Sequence, residues 1–180
     1  MKQCGVTLWL TGLSGAGKTT ITQQVEVILR ERGVAVERLD GDVVRQYLTK
    51  DLGFSRQDRL TNVERSAFVA DLLCKHDIIV LAAFISPYRE MRDRARAIIR
   101  SFREVYVSCP LETCVDRDVK GLYKKALNGE ISQFTGISDP YEPPLNPDLA
   151  LQTDRETAVE SALNVVRYLE ENGFIPREDA

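Results

Sequence analysis

The chain of 180 residues lacks any apolar stretch near the length of about 20 residues that a membrane-spanning helix needs. The segment Met1–Gly5 also lacks the hydrophobic region and cleavage site of a secretory signal peptide. We therefore expect a cytoplasmic protein without a membrane partner. A large excess of charge is missing too, because the net charge is −3 and basic residues are scattered among acidic ones. This balance argues against a nucleic-acid-binding surface.

Histidine and cysteine are scarce, which bears on metal sites. His76 is the only histidine, and no C-x-x-C pair occurs among Cys4, Cys74, Cys109 and Cys114. A zinc site of the usual ligand spacing is therefore not expected. We expect the cysteines to be small buried hydrophobic residues, with a redox-sensing thiol as the alternative. We interpret His76 as a turn residue, because it lies between charged residues at a predicted helix-to-strand junction.

The chain does contain a regular alternation of strand-like and helical segments. Hydrophobic residues make up 43% of it, which suits one domain, residues 1–180, with a continuous core. The alternation predicts βαβ units, and hence an α/β fold with a mainly parallel five-stranded sheet between layers of helices. Segment 78–84 lacks polar alternation, as a central strand covered on both faces should. The predicted strands are 6–11, 34–39, 78–84, 105–109 and 149–153, and the predicted helices are 18–32, 56–75, 88–101, 110–117 and 156–172.

The most informative motif is at residues 12–19, which match the phosphate-loop (P-loop) pattern G-x-x-x-x-G-K-[ST] directly after an apolar run. Its glycines let backbone N–H groups point at phosphate oxygens, and the following helix adds the positive end of its dipole. We expect Lys18 to reach the β- and γ-phosphates and Thr19 to bind Mg²⁺. The alternative is a glycine-rich turn without a ligand. The predicted nucleotide-binding residues are Gly12, Leu13, Ser14, Gly15, Ala16, Gly17, Lys18, Thr19 and Thr20.

Two acidic residues follow the second predicted strand. In an extended backbone, Asp40 and Asp42 would project to the same side, toward the phosphates. One of them could hold Mg²⁺-bound water and the other could accept a proton. The alternative is an Asx-type turn before a helix, with Asp42 as the N-cap. Because strand 78–84 ends without an acidic residue, we favour a functional acid here.

The loop 85–89 follows the predicted central strand. Pro87 fits the first turn of the next helix, and helix N-termini favour anions. We therefore expect this loop to grip part of an anionic substrate. The arginines farther along, Arg92, Arg94 and Arg96, are interpreted mainly as a solvated helix face.

The segment 117–141 is basic and punctuated by glycines. These properties fit a lid that opens to admit substrates and closes over phosphates to exclude water. An exposed amphipathic helix is the alternative.

Taken in order, these motifs resemble one family, the adenylylsulfate kinases, which phosphorylate adenosine 5′-phosphosulfate (APS) with ATP. The similarity covers nearly the whole chain and implies a three-layer fold of the P-loop NTPase type with a lid. The P-loop is shared with many enzymes, whereas segments 84–89 and 134–137 are characteristic of this family. The matching residues are Gly12–Thr19, Asp40-Gly41-Asp42 with Arg45, 51–55, Asp58-Arg59, Asn62, 84–89, 120–126, 134–137 and 139–142.

The resemblance implies transfer of the γ-phosphoryl group of ATP to the 3′-hydroxyl of APS. The products would be 3′-phosphoadenosine 5′-phosphosulfate (PAPS) and ADP, in sulfate assimilation. It implies catalytic roles for Lys18, Asp42 and Lys120, and Mg²⁺ held by Thr19 and, through water, by Asp42. A homodimer and an ATP sulfurylase in the same pathway are implied as well.

The resemblance also implies where the two adenines bind. Arg117 would lie against the adenine of ATP, and Phe54 and Phe134 would stack on either side of the adenine of APS. The alternative is that Phe54 and Phe134 are ordinary core aromatic residues. The implied APS-binding residues are Asp42, Arg45, Phe54, Arg59, Asn62, Ile85, Ser86, Lys120 and Phe134.

Four positions depart from the family pattern: Val43, Thr61, Glu64 and Ala83 stand where the family commonly has Asn, Glu, Arg and Ser. Glu64 reverses a charge near the expected anion site, and Val43 removes an amide beside Asp42. We therefore expect these departures to affect the affinity for APS more than the binding of ATP. Two alternatives remain. One is a P-loop kinase of another small hydroxyl compound, and the other is a catalytically silent nucleotide-binding subunit that regulates a sulfurylase.

Overall fold

Strands and helices alternate along the chain as the sequence predicts. The computed structural model describes residues 3–177. The strands are β1 (Val6–Thr11), β2 (Val36–Asp40), β3 (Ile79–Ala83), β4 (Phe102–Ser108) and β5 (Leu149–Gln152). The helices are α1 (Lys18–Glu31), α2 (Gly41–Tyr47), α3 (Arg56–Cys74), α4 (Arg89–Ile98), α5 (Leu111–Arg117), α6 (Leu122–Leu127) and α7 (Ala158–Glu171).

The strands form one parallel sheet in the order β2-β3-β1-β4-β5. Helices α1 and α7 pack together on one side, with Val25 and Leu29 in a core cluster that includes Leu151 and Val165. Helices α3 and α4 pack together, and a second cluster surrounds the buried Trp9. Every residue of β1 and β3 is buried, as expected of central strands. The predicted α/β fold with a parallel sheet is confirmed.

The boundaries differ where local geometry overrides the pattern. Helix α4 ends at Ile98 because Ile99 is extended, with ψ 118°, and β4 begins earlier than predicted, at Phe102. The N-cap of α4 is Tyr88, so the expectation that Pro87 lies in its first turn is wrong. The short helices α2 and α6 were not among the predicted helices.

The arginines of α4 occupy different environments. Arg92 is 2% exposed, and its guanidinium donates to Glu104 Oε1 at 2.6 Å, to Ser86 O at 2.7 Å and to Glu142 O at 2.6 Å. Arg94 is exposed and pairs with Glu64 on α3 at 2.7 Å. The interpretation as a solvated helix face is therefore wrong for Arg92. Three hydrogen bonds, one of them to a carboxylate, compensate the desolvation of this guanidinium.

The cysteine and histidine expectations are mostly confirmed. Cys74, Cys109 and Cys114 are buried, whereas Cys4 is exposed in the segment before β1, contrary to expectation. His76 lies in the turn between α3 and β3. None of the helices between residues 3 and 177 combines the length and the apolar character required to cross a bilayer.

Replacement of Arg92 should destabilise the fold. Arg92→Met is expected to lower the free energy of unfolding by about 3–5 kcal/mol, because it leaves Glu104 buried without its closest cationic partner. Arg94→Met is the matched control on the same helix. It removes an exposed ion pair and should cost less than about 1 kcal/mol. Urea denaturation measures the free energy of unfolding of both variants. Equal losses in the two variants would contradict the stabilising role of Arg92.

Candidate active site

The P-loop connects the end of β1 to the start of α1, at the carboxyl edge of the sheet. Gly12 packs so tightly on β4 that a Cβ there would lie 2.4 Å from the carbonyl oxygen of Val107. Gly17, the N-cap of α1, has a φ of 103° in the left-handed region that favours glycine. Thr153, just after β5, donates from Oγ1 to the carbonyl of Ala16 at 2.8 Å. The loop is therefore held from two neighbouring strands.

Lys18 is the first residue of α1, and its ammonium group folds back over the loop. Nζ donates to Gly12 O at 2.8 Å and to Leu13 O at 2.7 Å. Burial lowers the pKa of Lys18 to about 8. A triphosphate beside this group would favour its protonated form.

The two acidic residues after β2 have different partners. Asp40 ends the strand, and its Oδ2 accepts from the hydroxyl of Thr19 at 2.7 Å. Its Oδ1 accepts from the backbone N–H of Asp42 at 2.9 Å, so Asp40 is the N-cap of α2. The alternative that made Asp42 the cap is wrong, because Asp42 already lies in the first helical turn. The carboxylate of Asp42 instead contacts the ammonium group of Lys120.

A cavity of about 940 Å³ extends from the P-loop past the ends of the neighbouring strands. Gly12, Leu13 and Ala16 of the P-loop do not line it, and Leu13 faces a separate, shallower groove beside Ile137. The predicted site residues that do line it are Ser14, Gly15, Gly17, Lys18, Thr19, Thr20, Asp42, Arg45, Phe54, Arg59, Asn62, Ile85, Ser86, Arg117, Lys120 and Phe134.

The two aromatic side chains predicted to stack on an adenine line this same cavity. Phe54 is 58% exposed, and the guanidinium of Arg45 lies 4.4 Å from its ring centroid. Burial and the nearby Arg59 lower the pKa of Arg45. Phe134 comes from the distant segment 117–141 and contacts the ring of Tyr123 edge-on, with centroids 5.0 Å apart. An aromatic face and two guanidinium groups therefore lie together at this end of the cavity.

Arg59 connects the segments that carry the two aromatic residues. It donates from Nε to Phe54 O at 2.8 Å and from Nη1 to Thr135 Oγ1 at 3.0 Å. Asn62, one turn farther along α3, accepts from Thr49 Oγ1 at 2.7 Å. Both side chains are buried at the cavity wall, so they also shape its lining.

Two side chains of β1 donate hydrogen bonds to the loop after β3. Ile85 O accepts from Thr11 Oγ1 at 2.7 Å, and Ser86 Oγ accepts from Trp9 Nε1 at 3.1 Å. Ser86 has a φ of 38°, which is unusual for a residue with a side chain. The hydrogen bond from buried Arg92 to Ser86 O maintains this backbone.

The segment 117–141 packs on the P-loop. Arg117 donates to Thr153 O and, at 3.4 Å, to Gly15 O. Tyr123 donates from its hydroxyl to Ser14 O at 2.9 Å. Lys120 reaches across the cavity to Asp42.

Sequence reasoning missed part of the cavity wall. The sequence places Thr19 and Asp42 at the Mg²⁺ site, but Asp40 is the acidic residue that contacts Thr19. The residues after β5 were missed entirely: Thr153, Glu156 and Thr157 line the cavity. Their position in the sequence could have indicated them, because residues after the carboxyl end of a parallel strand are ligand candidates.

The departures from the family pattern lie mostly away from the cavity. Val43, Thr61 and Glu64 do not line it, whereas Ala83 does. Glu64 pairs with Arg94 instead of facing the proposed anion site. The expected reversal of charge at that site is therefore not found.

Known proteins are similar to this chain over nearly its full length. The family model for adenylylsulphate kinase matches residues 4–152. The adenylyl-sulfate kinase of Halothermothrix orenii is 64% identical over 96% of this chain and 94% of its own. A structure of the Mycobacterium tuberculosis APS kinase CysC in complex with AMPPNP and APS is 45% identical, with a TM-score of 0.90 over 94% of this chain and 99% of that one.

A hexameric APS kinase from Thiobacillus denitrificans is 34% identical, with a TM-score of 0.74 over 96% of this chain and 30% of that one. The family model covers most of the chain, and the relative from Halothermothrix orenii shares almost two thirds of its residues. This chain belongs to the adenylylsulphate kinase family.

Proposed function

We propose that this chain transfers the γ-phosphoryl group of ATP to the 3′-hydroxyl of APS and releases PAPS and ADP. The observation that carries the proposal is the single cavity in which a P-loop faces two aromatic side chains, Phe54 and Phe134, from distant segments. An acceptor without a purine ring would not need two stacking faces. The overall similarity to APS kinases supports the same acceptor.

Phosphoryl transfer needs mainly positioning and neutralisation of charge. In this proposal the P-loop amides and Lys18 bind the phosphates of ATP, and Arg117 lies against its adenine. Lys120 reaches the transferring phosphoryl group from segment 117–141, which we propose to act as a lid within one kinase domain, residues 1–180. The contact of Lys120 with Asp42 supports its reach across the cavity.

We propose Mg²⁺ as the cofactor. The hydroxyl of Thr19 and the carboxylate of Asp40, 2.7 Å apart, are hard oxygen ligands beside the P-loop and fit this ion. No cluster of three or more His, Cys, Asp or Glu suited to a metal occurs among residues 3–177, which fits an ion held partly by phosphates. When bound, Mg²⁺ would neutralise phosphate charge. Asp42 would add a ligand through water.

On the acceptor side, Asp42 orients or deprotonates the 3′-hydroxyl of APS. Phe54 and Phe134 stack on its adenine. Arg45, Arg59 and Asn62 bind its phosphosulfate and neighbouring groups, and Ile85 and Ser86 line the pocket. Arg45 is the more available cation, because Arg59 is already bonded to Phe54 O and Thr135.

We further propose a homodimer that works in the cytoplasm, beside an ATP sulfurylase that supplies APS. Nucleic acid is not an expected partner. The alternative of a silent subunit is disfavoured, because Lys18, Thr19, Asp42 and Lys120 all line one cavity.

The direct test is ADP release by the purified protein with Mg²⁺-ATP, with and without APS, and identification of the product by mass. We expect release to depend on APS and a phosphate to be added at the 3′ position. Asp42→Ala should lower turnover by about 10²–10⁴-fold while ATP still binds, as for loss of a general base. Tight ATP binding by the wild type without APS-dependent turnover would favour the silent subunit or another acceptor.

Removal of an exposed stacking ring should weaken the binding of APS and leave the binding of ATP unchanged. Phe54→Ala is expected to weaken APS binding by about 1–3 kcal/mol, the usual value for a base stacked on an aromatic ring. Phe68→Ala is the matched control, because Phe68 is 59% exposed on α3 and does not line the cavity. Calorimetric titration measures both. The stacking role would be wrong if the two variants bound APS equally well.

Binding of ATP should depend on pH through Lys18. Below its pKa of about 8 the side chain is charged and attracts the phosphates, and above it the charge is lost. We therefore expect ATP affinity to fall by up to about tenfold between about pH 7 and about pH 9, with proton uptake on binding. Lys18→Arg keeps its charge over this range and should flatten the profile. An equally steep profile for this variant would place the titrating group elsewhere.

A further inference from the structure

Tyr123 is a buried tyrosine within the proposed lid. Only 1% of the residue is exposed, and its hydroxyl donates to the carbonyl oxygen of Ser14 at 2.9 Å. Ser14 belongs to the P-loop, 109 positions earlier in the chain. Burial raises the pKa of Tyr123, so the hydroxyl keeps its proton and remains a donor. The proposed lid is thus attached directly to the backbone of the P-loop.

The ring of the same tyrosine supports Phe134. The two rings meet edge-on at an interplanar angle of 79°, with centroids 5.0 Å apart, which is a favourable aromatic geometry. Phe134 is half-buried against the core, yet it lines the cavity. One side chain therefore contacts both the P-loop and the aromatic residue proposed to stack on APS.

The backbone around Tyr123 is also fixed. The carboxylate of Asp118 accepts from the N–H groups of Tyr123 at 2.9 Å and Lys124 at 3.1 Å, at the start of α6. Lys120 lies in the turn between Asp118 and Tyr123, where Gly121 N–H donates to Asp118 O at 2.8 Å. A displacement of Tyr123 would therefore move the turn that carries Lys120.

We propose that Tyr123 is a positioning residue that couples the nucleotide site to the acceptor site. The hydroxyl holds Ser14 in the P-loop, and the ring holds Phe134. An adenine stacked on Phe134 restrains the ring of Tyr123, and this restraint reaches the P-loop through the hydroxyl. The inference rests on the proposed function, because it takes APS as the ligand of Phe134. It predicts that the two ligands bind cooperatively, by the reciprocity of linked sites.

The test uses Tyr123→Phe, which removes the hydroxyl and keeps the ring. Calorimetry measures the affinity for Mg²⁺-AMPPNP alone, for APS alone, and for Mg²⁺-AMPPNP at saturating APS. We expect Y123F to bind AMPPNP about 3–10-fold more weakly, as for one lost hydrogen bond, and APS alone within about twofold of the wild type. APS should strengthen AMPPNP binding in the wild type, and this enhancement should shrink in Y123F.

Tyr168→Phe is the matched control, because Tyr168 is a half-buried tyrosine of α7 that does not line the cavity. It should bind both ligands as the wild type does. Thermal unfolding of all three proteins checks that the variants are folded. If the role of Tyr123 were purely structural, Y123F would bind both ligands more weakly to the same extent. The strengthening of AMPPNP binding by APS would then be unchanged.

The inference is overturned if Y123F binds AMPPNP as the wild type does, if it loses both affinities equally, or if the wild type shows no enhancement. In each case, APS-dependent turnover by the wild type would leave the proposed function standing. A wild type without APS-dependent turnover would overturn the proposed function together with the inference.

Discussion

The attachment of the P-loop to the surrounding strands is the constraint on which the rest of the site depends. Gly12 lies against β4 with no room for a side chain, and Thr153 holds the carbonyl of Ala16 from the end of β5. The hydroxyl of Tyr123 donates to a third point of the loop, the carbonyl oxygen of Ser14. With the loop fixed at these points, Lys18 and the N-terminus of α1 both lie at the wall of the cavity. A loop of this kind needs little reorganisation to bind phosphates.

Buried arginines organise the other end of the cavity. Arg92 joins α4, β4, the loop at Ser86 and the segment at Glu142, and Arg59 joins the chain at Phe54 to the chain at Thr135. A guanidinium group has donors in several directions, so it can satisfy carbonyl groups from segments that do not form a sheet or helix together. These contacts let irregular loops keep a defined shape. They explain how two phenylalanines 80 positions apart line one cavity.

The departures from the family pattern illustrate why a substitution has to be located before it is interpreted. Glu64 looks harmful in the sequence, because it places a negative charge where relatives commonly have a positive one. In the structure it pairs with Arg94 across α3 and α4, outside the cavity. Val43 is half-exposed on α2 and does not line the cavity either. The charges that do line it include Lys18, Lys120 and Arg45, and they suit an anionic substrate.

The parallel α/β fold, the P-loop and the motifs of the site could all be predicted from the amino-acid sequence. These depend on local patterns, since hydrophobic periodicity, glycine spacing and short motifs are properties of neighbouring residues. Three features are visible only in the folded chain: the contact of Asp40 with Thr19, the burial of Arg92, and the contacts of Tyr123 with the P-loop and Phe134. Each of these is a contact between segments far apart in the chain. Such contacts depend on how the loops after the strands pack against one another, which no local pattern encodes.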